Sequence, residues 1–147
     1  MIDLTSRLIG ETMKDGESLP SILNLARKLA HISREDKRVG SIIALSGRVL
    51  GRGFNKYFSI NNLSRKFFSN YLGHEVYNSI HAEIMALKNS YKSKIRGATL
   101  YVCRIKKNGS LGLSKPCARC MNAIRELGIS KIVYSTEVSP FFVIERI

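Results

Sequence analysis

The chain has 147 residues, with 24 Lys and Arg against 11 Asp and Glu, so its formal net charge at pH 7 is +13. The hydrophobic share of 44% is enough for one compact domain, which we expect to span residues 1–147. No stretch has the composition of a signal peptide or the length of a membrane span, so a membrane protein is excluded and a cytoplasmic protein is expected.

The chain opens with a predicted amphipathic helix and a predicted β-hairpin. Apolar residues recur at helical spacing over 19–32, with Ser18 as a candidate N-cap and Pro20 in the first turn. Two strand-like runs follow, at 39–45 and 49–54, and the Ser-Gly-Arg sequence between them is typical of a hairpin turn.

The second half predicts alternating helices and strands. The segment 56–78 is polar and aromatic together, and we expect a loop with one short helix there. The next predicted elements are a helix over 81–91, a strand over 98–106, a tight turn at Asn108-Gly109, a helix from 117 to about 127 that ends at Gly128, and a strand over 131–134. Only residues 136–140 separate this strand from the apolar run 141–147, too few for a parallel crossover, so a strand there would be antiparallel. The order predicts an α/β fold, a three-layer α/β/α sandwich around a mixed sheet.

Two predicted helix starts carry the residue types of a catalytic metal site. His81 and Glu83 stand at the first, and Pro116, Cys117 and Cys120 stand at the second. Residues three apart share one helix face, so both thiolates can reach one metal, and an imidazole supplies a third ligand. Three protein ligands leave the fourth position of a tetrahedral zinc open for water. Each residue alone has an ordinary structural explanation, but the combination favours Zn²⁺ with Glu83 as the group that moves protons.

This combination, H-x-E followed by P-C-x-x-C, resembles the cytidine deaminase superfamily on its CMP/dCMP and nucleic-acid deaminase side. The similarity covers roughly residues 39–134. It implies the cytidine deaminase fold, with His81, Cys117 and Cys120 as the zinc ligands and Glu83 as the catalytic acid and base.

The resemblance also implies contacts with the substrate. The sequence Gly51-Arg52-Gly53-Phe54-Asn55 is similar to the Gly-x-Gly-x-Asn stretch of this superfamily, whose Asn contacts the nucleoside. The alternative is a loop Asn that bonds to nearby backbone. The backbone N–H groups of Ala82 and Cys117 would hold the attacking oxygen or the ring carbonyl. The further expected substrate contacts are Pro116, Arg104, Lys115 and Arg119.

The substrate follows less directly from the residues. A basic rim that leads into the zinc site is formed by Arg104, Lys106, Lys107, Lys115 and Arg119. It suits phosphate, whether on a nucleotide or along a strand. The net charge and the aromatic residues near Arg65 and Lys66 favour single-stranded DNA or RNA, although solvated lysines explain the charge nearly as well. Residues 81–87 resemble tRNA adenosine deaminases, whereas 114–117 and 128–135 resemble cytosine-type members. We predict hydrolytic deamination of cytosine in a nucleotide such as dCMP, with a cytosine or adenine deaminase of single strands as the alternative.

Two other hypotheses remain at this point. A non-catalytic zinc module that binds nucleic acid would need a fourth protein ligand, for which His74 and Cys103 are the candidates. An inactive scaffold is disfavoured by the presence of Glu83. Otherwise we expect Cys103 to be a reduced core thiol. Exposed apolar residues in the tail, Phe141, Phe142 and Val143, would allow a homo-oligomer.

Overall fold

The computed structural model describes residues 19–55, 80–90 and 94–147. The elements in these ranges are α1 (Ser21–Ala30), β1 (Arg38–Leu45), β2 (Arg48–Phe54), α2 (Ala82–Ser90), β3 (Thr99–Ile105), β4 (Leu111–Gly112), α3 (Ala118–Glu126), β5 (Lys131–Ser135) and β6 (Phe142–Arg146). Ser18 and the predicted loop 56–78 lie outside the described residues. None of the described helices is long and apolar enough to cross a membrane.

The strands form one mixed sheet of six strands in the order β2-β1-β3-β5-β6, with β4 paired to β3. β3 and β5 run parallel, and the other pairs are antiparallel. The antiparallel last strand is therefore confirmed. The two-residue strand β4 pairs with β3 across the tight turn predicted at Asn108-Gly109, although a run this short leaves no periodic pattern from which its bounds could be predicted.

The helices cover both faces of the sheet, which confirms the α/β prediction. α1 packs on one face, where Leu23 and Ala26 join Ile42 and Tyr101 in a buried cluster. α2 and α3 cover the other face, and their buried side chains join those of β3 and β5 in a second cluster. Cys103 is a buried free thiol in the first cluster, as predicted.

Two glycines of β2 allow α2 to lie very close to the sheet. A Cβ on Gly53 would stand 2.5 Å from the carbonyl oxygen of Ala82 and 2.6 Å from the amide nitrogen of Ala86. A Cβ on Gly51 would stand 2.5 Å from the carbonyl oxygen of Ala86. Ser41 on β1 adds a buried hydrogen bond of 2.7 Å from its hydroxyl to the Ala82 carbonyl. The first turn of α2 is thereby held against the end of β2.

The apolar residues near the C-terminus do not form the exposed patch that was expected from the sequence. Phe141, Phe142 and Val143 are each half-buried. The reason is that β6 adds to the edge of the sheet and alternates its side chains between the two faces. Phe142 packs against the cluster under α1, whereas Val143 packs against the cluster under α2 and α3.

Candidate active site and metal centre

Two helix starts meet at one end of the sheet, where β2 and β3 end and β1 begins. His81 directly precedes α2, Cys117 is the N-cap residue of α3, and Cys120 lies in the first turn of α3. The Nδ1 atom of His81 is 3.3 Å from the Sγ atom of Cys120 and 3.7 Å from the Sγ atom of Cys117. All three ligand atoms lie within 4.8 Å of one another. One nitrogen and two sulfurs are thus placed to bind one metal ion.

The donor set fits zinc with an open coordination position. One imidazole and two thiolates are typical zinc ligands, and catalytic zinc sites have three protein ligands and a water. Within the described residues, no further His, Cys, Asp or Glu joins this group. Cys103, one candidate for a fourth ligand, is buried in β3 and does not belong to the group, and His74 lies outside the described residues. The geometry therefore favours a catalytic metal centre over a closed structural one.

The two cysteines differ in charge and exposure. The hydrogen bond with the Cys120 side chain lowers the pKa of Cys117 to about 4, against an opposing effect of burial. The same hydrogen bond and its own burial raise the pKa of Cys120. This pattern favours the thiolate form at Cys117, which is exposed, over Cys120, which is buried. Since metal ligands must be deprotonated, binding of zinc would release the remaining proton.

Glu83 is a buried carboxyl group beside the metal ligands. It lies in the first turn of α2 and is only 5% exposed. Burial raises its pKa above the ordinary value, although a backbone hydrogen bond and the nearby His81 oppose this. A carboxyl group with a raised pKa can both accept and donate a proton near neutral pH, as general acid–base catalysis requires.

A cleft of about 490 Å³ opens onto the metal ligands. Of the predicted substrate contacts, Asn55, Ala82, Arg104 and Lys115 line it. Pro116 and Arg119 are not among its lining residues: Pro116 is buried and Arg119 is exposed elsewhere.

The side chain of Asn55 is bonded to the backbone at the point where the loop before β1 enters that strand. Its Oδ1 accepts a hydrogen bond of 2.9 Å from the Val39 N–H, and its Nδ2 donates to the Lys37 carbonyl. The Ser33 hydroxyl donates to the Asn55 carbonyl at 2.8 Å. The backbone-bonding alternative describes this geometry, so Asn55 fixes the loop that forms one side of the cleft.

The predicted basic rim is largely paired with acids. Lys106 lies 2.9 Å from Glu137, Lys107 lies 3.7 Å from Asp36, and Lys115 lies 3.4 Å from Glu145, measured from Nζ to Oε1 or Oδ1. Arg104 differs, because its Nε is buried and has no hydrogen-bond partner. The Nε–H of Arg104 is therefore a hydrogen-bond donor of the cleft that is available to a bound molecule.

Two acids that line the cleft were missed in the sequence, Glu35 and Asp36. They belong to the loop before β1. Since β1 runs antiparallel to both β2 and β3, its start lies at the same end of the sheet as their ends. That topological signal would have pointed to polar residues just before β1.

Two buried serine hydroxyls fix the segment between β4 and Cys117. Ser114 Oγ donates to the Val102 carbonyl at 2.8 Å and accepts from the Ser135 N–H at 2.8 Å. Ser135 Oγ donates to the Gly112 carbonyl at 2.7 Å and accepts from the Arg104 N–H at 3.0 Å. We call Ser114 and Ser135 the serine pair. It joins β3, β4 and β5 immediately before the metal ligands of α3.

Known proteins match this chain in sequence. The family described as "Cytidine and deoxycytidylate deaminase zinc-binding region" matches residues 13–136. The deoxycytidylate deaminase of Mycobacterium phage D29 is 30% identical over 114 residues, which cover 70% of this chain and 81% of that protein.

Solved structures agree on the fold. The dCMP deaminase of cyanophage S-TIM5 in apo form has a TM-score of 0.56 at 23% identity, and the match covers 81% of this chain and 82% of that one. The same enzyme in complex with dCMP and dUMP has a TM-score of 0.56 at 22% identity, over 83% of this chain and 86% of that one. A structure from a study of A-to-I editing by tRNA:A34 deaminases has a TM-score of 0.51 at 23% identity, over 82% and 78%. The chain belongs to the cytidine and deoxycytidylate deaminase family, whose zinc-binding region it contains, and it is a zinc-dependent hydrolytic deaminase.

Proposed function

We propose that this protein removes the amino group from cytosine in a deoxycytidine nucleotide such as dCMP, with uracil and ammonia as products. The observation that carries the proposal is the buried Glu83 beside a three-ligand metal site, at the base of a cleft that also contains Arg104. The nature of the D29 relative, a deoxycytidylate deaminase, supports a cytosine nucleotide as substrate. We place the enzyme in the cytoplasm, where free nucleotides are found.

The residues of the site have distinct roles in this reaction. A zinc ion held by His81, Cys117 and Cys120 supplies the Lewis acidity that makes water a nucleophile near neutral pH. Glu83 accepts a proton from the attacking water and delivers it to the ring nitrogen. It then takes the second proton from the added hydroxyl and delivers it to the amino group, which leaves as ammonia. The backbone N–H of Ala82, at the start of α2, is a donor for the attacking oxygen or the ring carbonyl.

Arg104 and Lys115 supply positive charge for the phosphate. The buried, unpartnered Nε of Arg104 has a hydrogen bond to offer, whereas Lys115 already lies near Glu145. A guanidinium also matches the geometry of a phosphate with two parallel donors. Arg104 is therefore the main phosphate contact in this proposal, and Lys115 adds charge at the rim.

The charges of the cleft favour a single nucleotide over a strand. Glu35 and Asp36 line it, and the lysines of the rim lie beside carboxylates. A strand would bring several phosphates past these acids, whereas a mononucleotide brings one. Deamination of single-stranded DNA or RNA remains the second candidate because of the net charge of +13.

The substrate test is direct. The zinc-loaded protein is incubated with dCMP, CMP, single-stranded DNA and RNA, and mass spectrometry detects conversion of an amino to an oxo group. We expect conversion of the monophosphates. Conversion confined to a strand would refute the nucleotide proposal and support the second candidate.

Two variants test the residue roles. Glu83→Gln should keep its zinc, because Glu83 is not a ligand, and should lose turnover by at least about 10²–10⁴-fold. Cys117→Ala should lose the metal as well, since it removes one of three ligands. Metal content by atomic absorption and kcat with dCMP check both. Near-native turnover by Glu83→Gln would show that the proton is moved by another group.

A further inference from the structure

Two charged side chains of the cleft carry a buried polar atom with no hydrogen-bond partner. These atoms are Oε2 of Glu35, in the loop before β1, and Nε of Arg104, in β3. Among the described residues, Oδ1 of Asn24 on α1 is the only other such side-chain atom, and it lies outside the cleft. Buried polar groups are nearly always paired with protein, ligand or water, so these two atoms of the cleft are available to a bound molecule. In this cleft Nε of Arg104 is an unpaired donor and Oε2 of Glu35 is an unpaired acceptor.

The loop that carries Glu35 is fixed from behind. The Glu35 N–H donates to the Ser33 hydroxyl at 3.3 Å, and that hydroxyl donates to the Asn55 carbonyl. The Asn55 side chain holds the loop again at Lys37 and Val39. The amide of Asn55 thus bonds within the protein, and Oε2 of Glu35 is a buried atom of this loop without a hydrogen-bond partner.

We propose that Glu35 accepts a hydrogen bond from the sugar 3′-hydroxyl of the nucleotide and so selects substrates in which this hydroxyl is free. The inference rests on the proposed function and names a specificity residue within it. A carboxylate accepts hydrogen bonds and repels phosphate. The hydrogen-bond donors of a dCMP molecule are the amino group, which reacts at the metal, and the 3′-hydroxyl. By elimination, the 3′-hydroxyl is the partner that a carboxylate away from the metal can take.

The same contact discriminates against a strand. Inside a polynucleotide the 3′-oxygen is esterified, so it has no proton to donate, and its phosphate would lie next to the Glu35 carboxylate. Glu35 would therefore favour mononucleotides twice, through a hydrogen bond gained and a repulsion avoided.

The test compares dCMP with 2′,3′-dideoxy-CMP, which lacks only the 3′-hydroxyl. We expect the wild-type kcat/KM to be about 10- to 100-fold higher for dCMP, the size of a hydrogen bond to a charged group. In Glu35→Ala this ratio should fall close to one. In Glu35→Gln it should lie between the two, because the amide oxygen still accepts a hydrogen bond. Glu126→Gln removes an exposed carboxylate at the end of α3, outside the cleft, and should keep the wild-type ratio.

The outcomes are separable. If Glu35→Ala or Glu35→Gln deaminates dCMP with the wild-type ratio, the role of Glu35 is refuted while the proposed function stands. If zinc-loaded wild-type protein does not convert dCMP, the proposed function fails and the inference fails with it. Zinc content and the melting temperature establish that each variant is folded, and if the alanine variant does not fold, the glutamine variant decides the question by its ratio.

Discussion

The starts of α2 and α3 bring ligands to the same metal site, but they are held there by different means. The start of α2 is held by shape, because Gly51 and Gly53 remove side chains from the space between the helix and β2. The segment between β4 and α3 is held by hydrogen bonds of the serine pair, Ser114 and Ser135. Close packing resists small displacements steeply, whereas a hydrogen-bonded network can be weakened one bond at a time. Substitutions should therefore break the two sides in different ways.

The largest effect is expected on the α2 side. Gly53→Ala places a methyl group against backbone atoms of Ala82 and Ala86 that cannot move independently of the helix. We expect a loss of about 3 kcal/mol in the free energy of unfolding. We also expect a fall of about 100-fold in kcat, because His81 and Glu83 would be displaced. Denaturant titration and steady-state kinetics measure both.

Gly109→Ala is the matched control for this prediction. Gly109 has a φ of +86° in the turn before β4, but a Cβ there meets no atom within 4 Å. It should lose only about 1 kcal/mol from backbone strain and keep its kcat. Equal losses of kcat in the two variants would contradict the packing explanation.

On the α3 side, Ser135→Ala should have the next largest effect. It removes the donor to the Gly112 carbonyl and leaves the Arg104 N–H without its acceptor. We expect a loss of about 2 kcal/mol in the free energy of unfolding, because buried polar groups remain unpaired. Ser130→Ala, at the other end of β5, removes a hydroxyl from a half-buried position and should cost less than half as much. The serine pair would lose its assigned role if the two variants were equally stable.

Alkaline pH should lower the free energy of unfolding through Cys103, whose buried thiol is hydrogen-bonded to Ser135 of the serine pair. Burial raises the pKa of Cys103 from 9.0 to about 11. Because the folded pKa is the higher one, this contribution to stability is complete below about pH 9 and is lost as the pH rises towards about 11. By about pH 10 the loss should be about 1 kcal/mol. In Cys103→Ala the free energy of unfolding should not show this additional loss between about pH 8 and pH 10, whatever its value at neutral pH. If the variant and the wild type lost the same free energy over that range, Cys103 would not be the titrating group.

The smallest effect should come from Ser41→Ala, on the α2 side. It removes the hydroxyl that donates to the Ala82 carbonyl but leaves the glycine contacts intact. We expect a loss of about 1 kcal/mol and a change in kcat of no more than about threefold. A larger fall in kcat than in Gly53→Ala would mean that the hydrogen bond, rather than shape, positions α2.

The metal site could be predicted because its chemistry is local in sequence. His81 directly precedes α2 and Glu83 lies in its first turn, while Cys117 and Cys120 are the N-cap and a first-turn residue of α3, so each pair belongs to one helix start. The strands were predictable for a similar reason, since β1 and β2 are single runs joined by a short turn.

The walls of the cleft could not be predicted in the same way because they depend on contacts distant in sequence. The basic rim was predicted to suit phosphate, but the sequence did not show that its lysines lie beside Asp36, Glu137 and Glu145, which only the folded sheet brings near. The side chain of Asn55 bonds to backbone atoms of Lys37 and Val39, which lie near it only because of the path of the folded chain. Glu35 belongs to no motif; it lies in the cleft because β1 is antiparallel to β2 and β3 and therefore begins at the end of the sheet where they end.

The unequal exposure of the cysteines has a practical consequence. Of the three in the chain, Cys117 is exposed, and Cys103 and Cys120 are buried. A colorimetric thiol reagent in solution should therefore react readily with a single sulfur of the native, metal-free protein. A bound zinc ion would shield that sulfur, so the count of fast-reacting thiols falls as the metal loads, and a cuvette and a chromogenic disulfide suffice to follow zinc occupancy during purification.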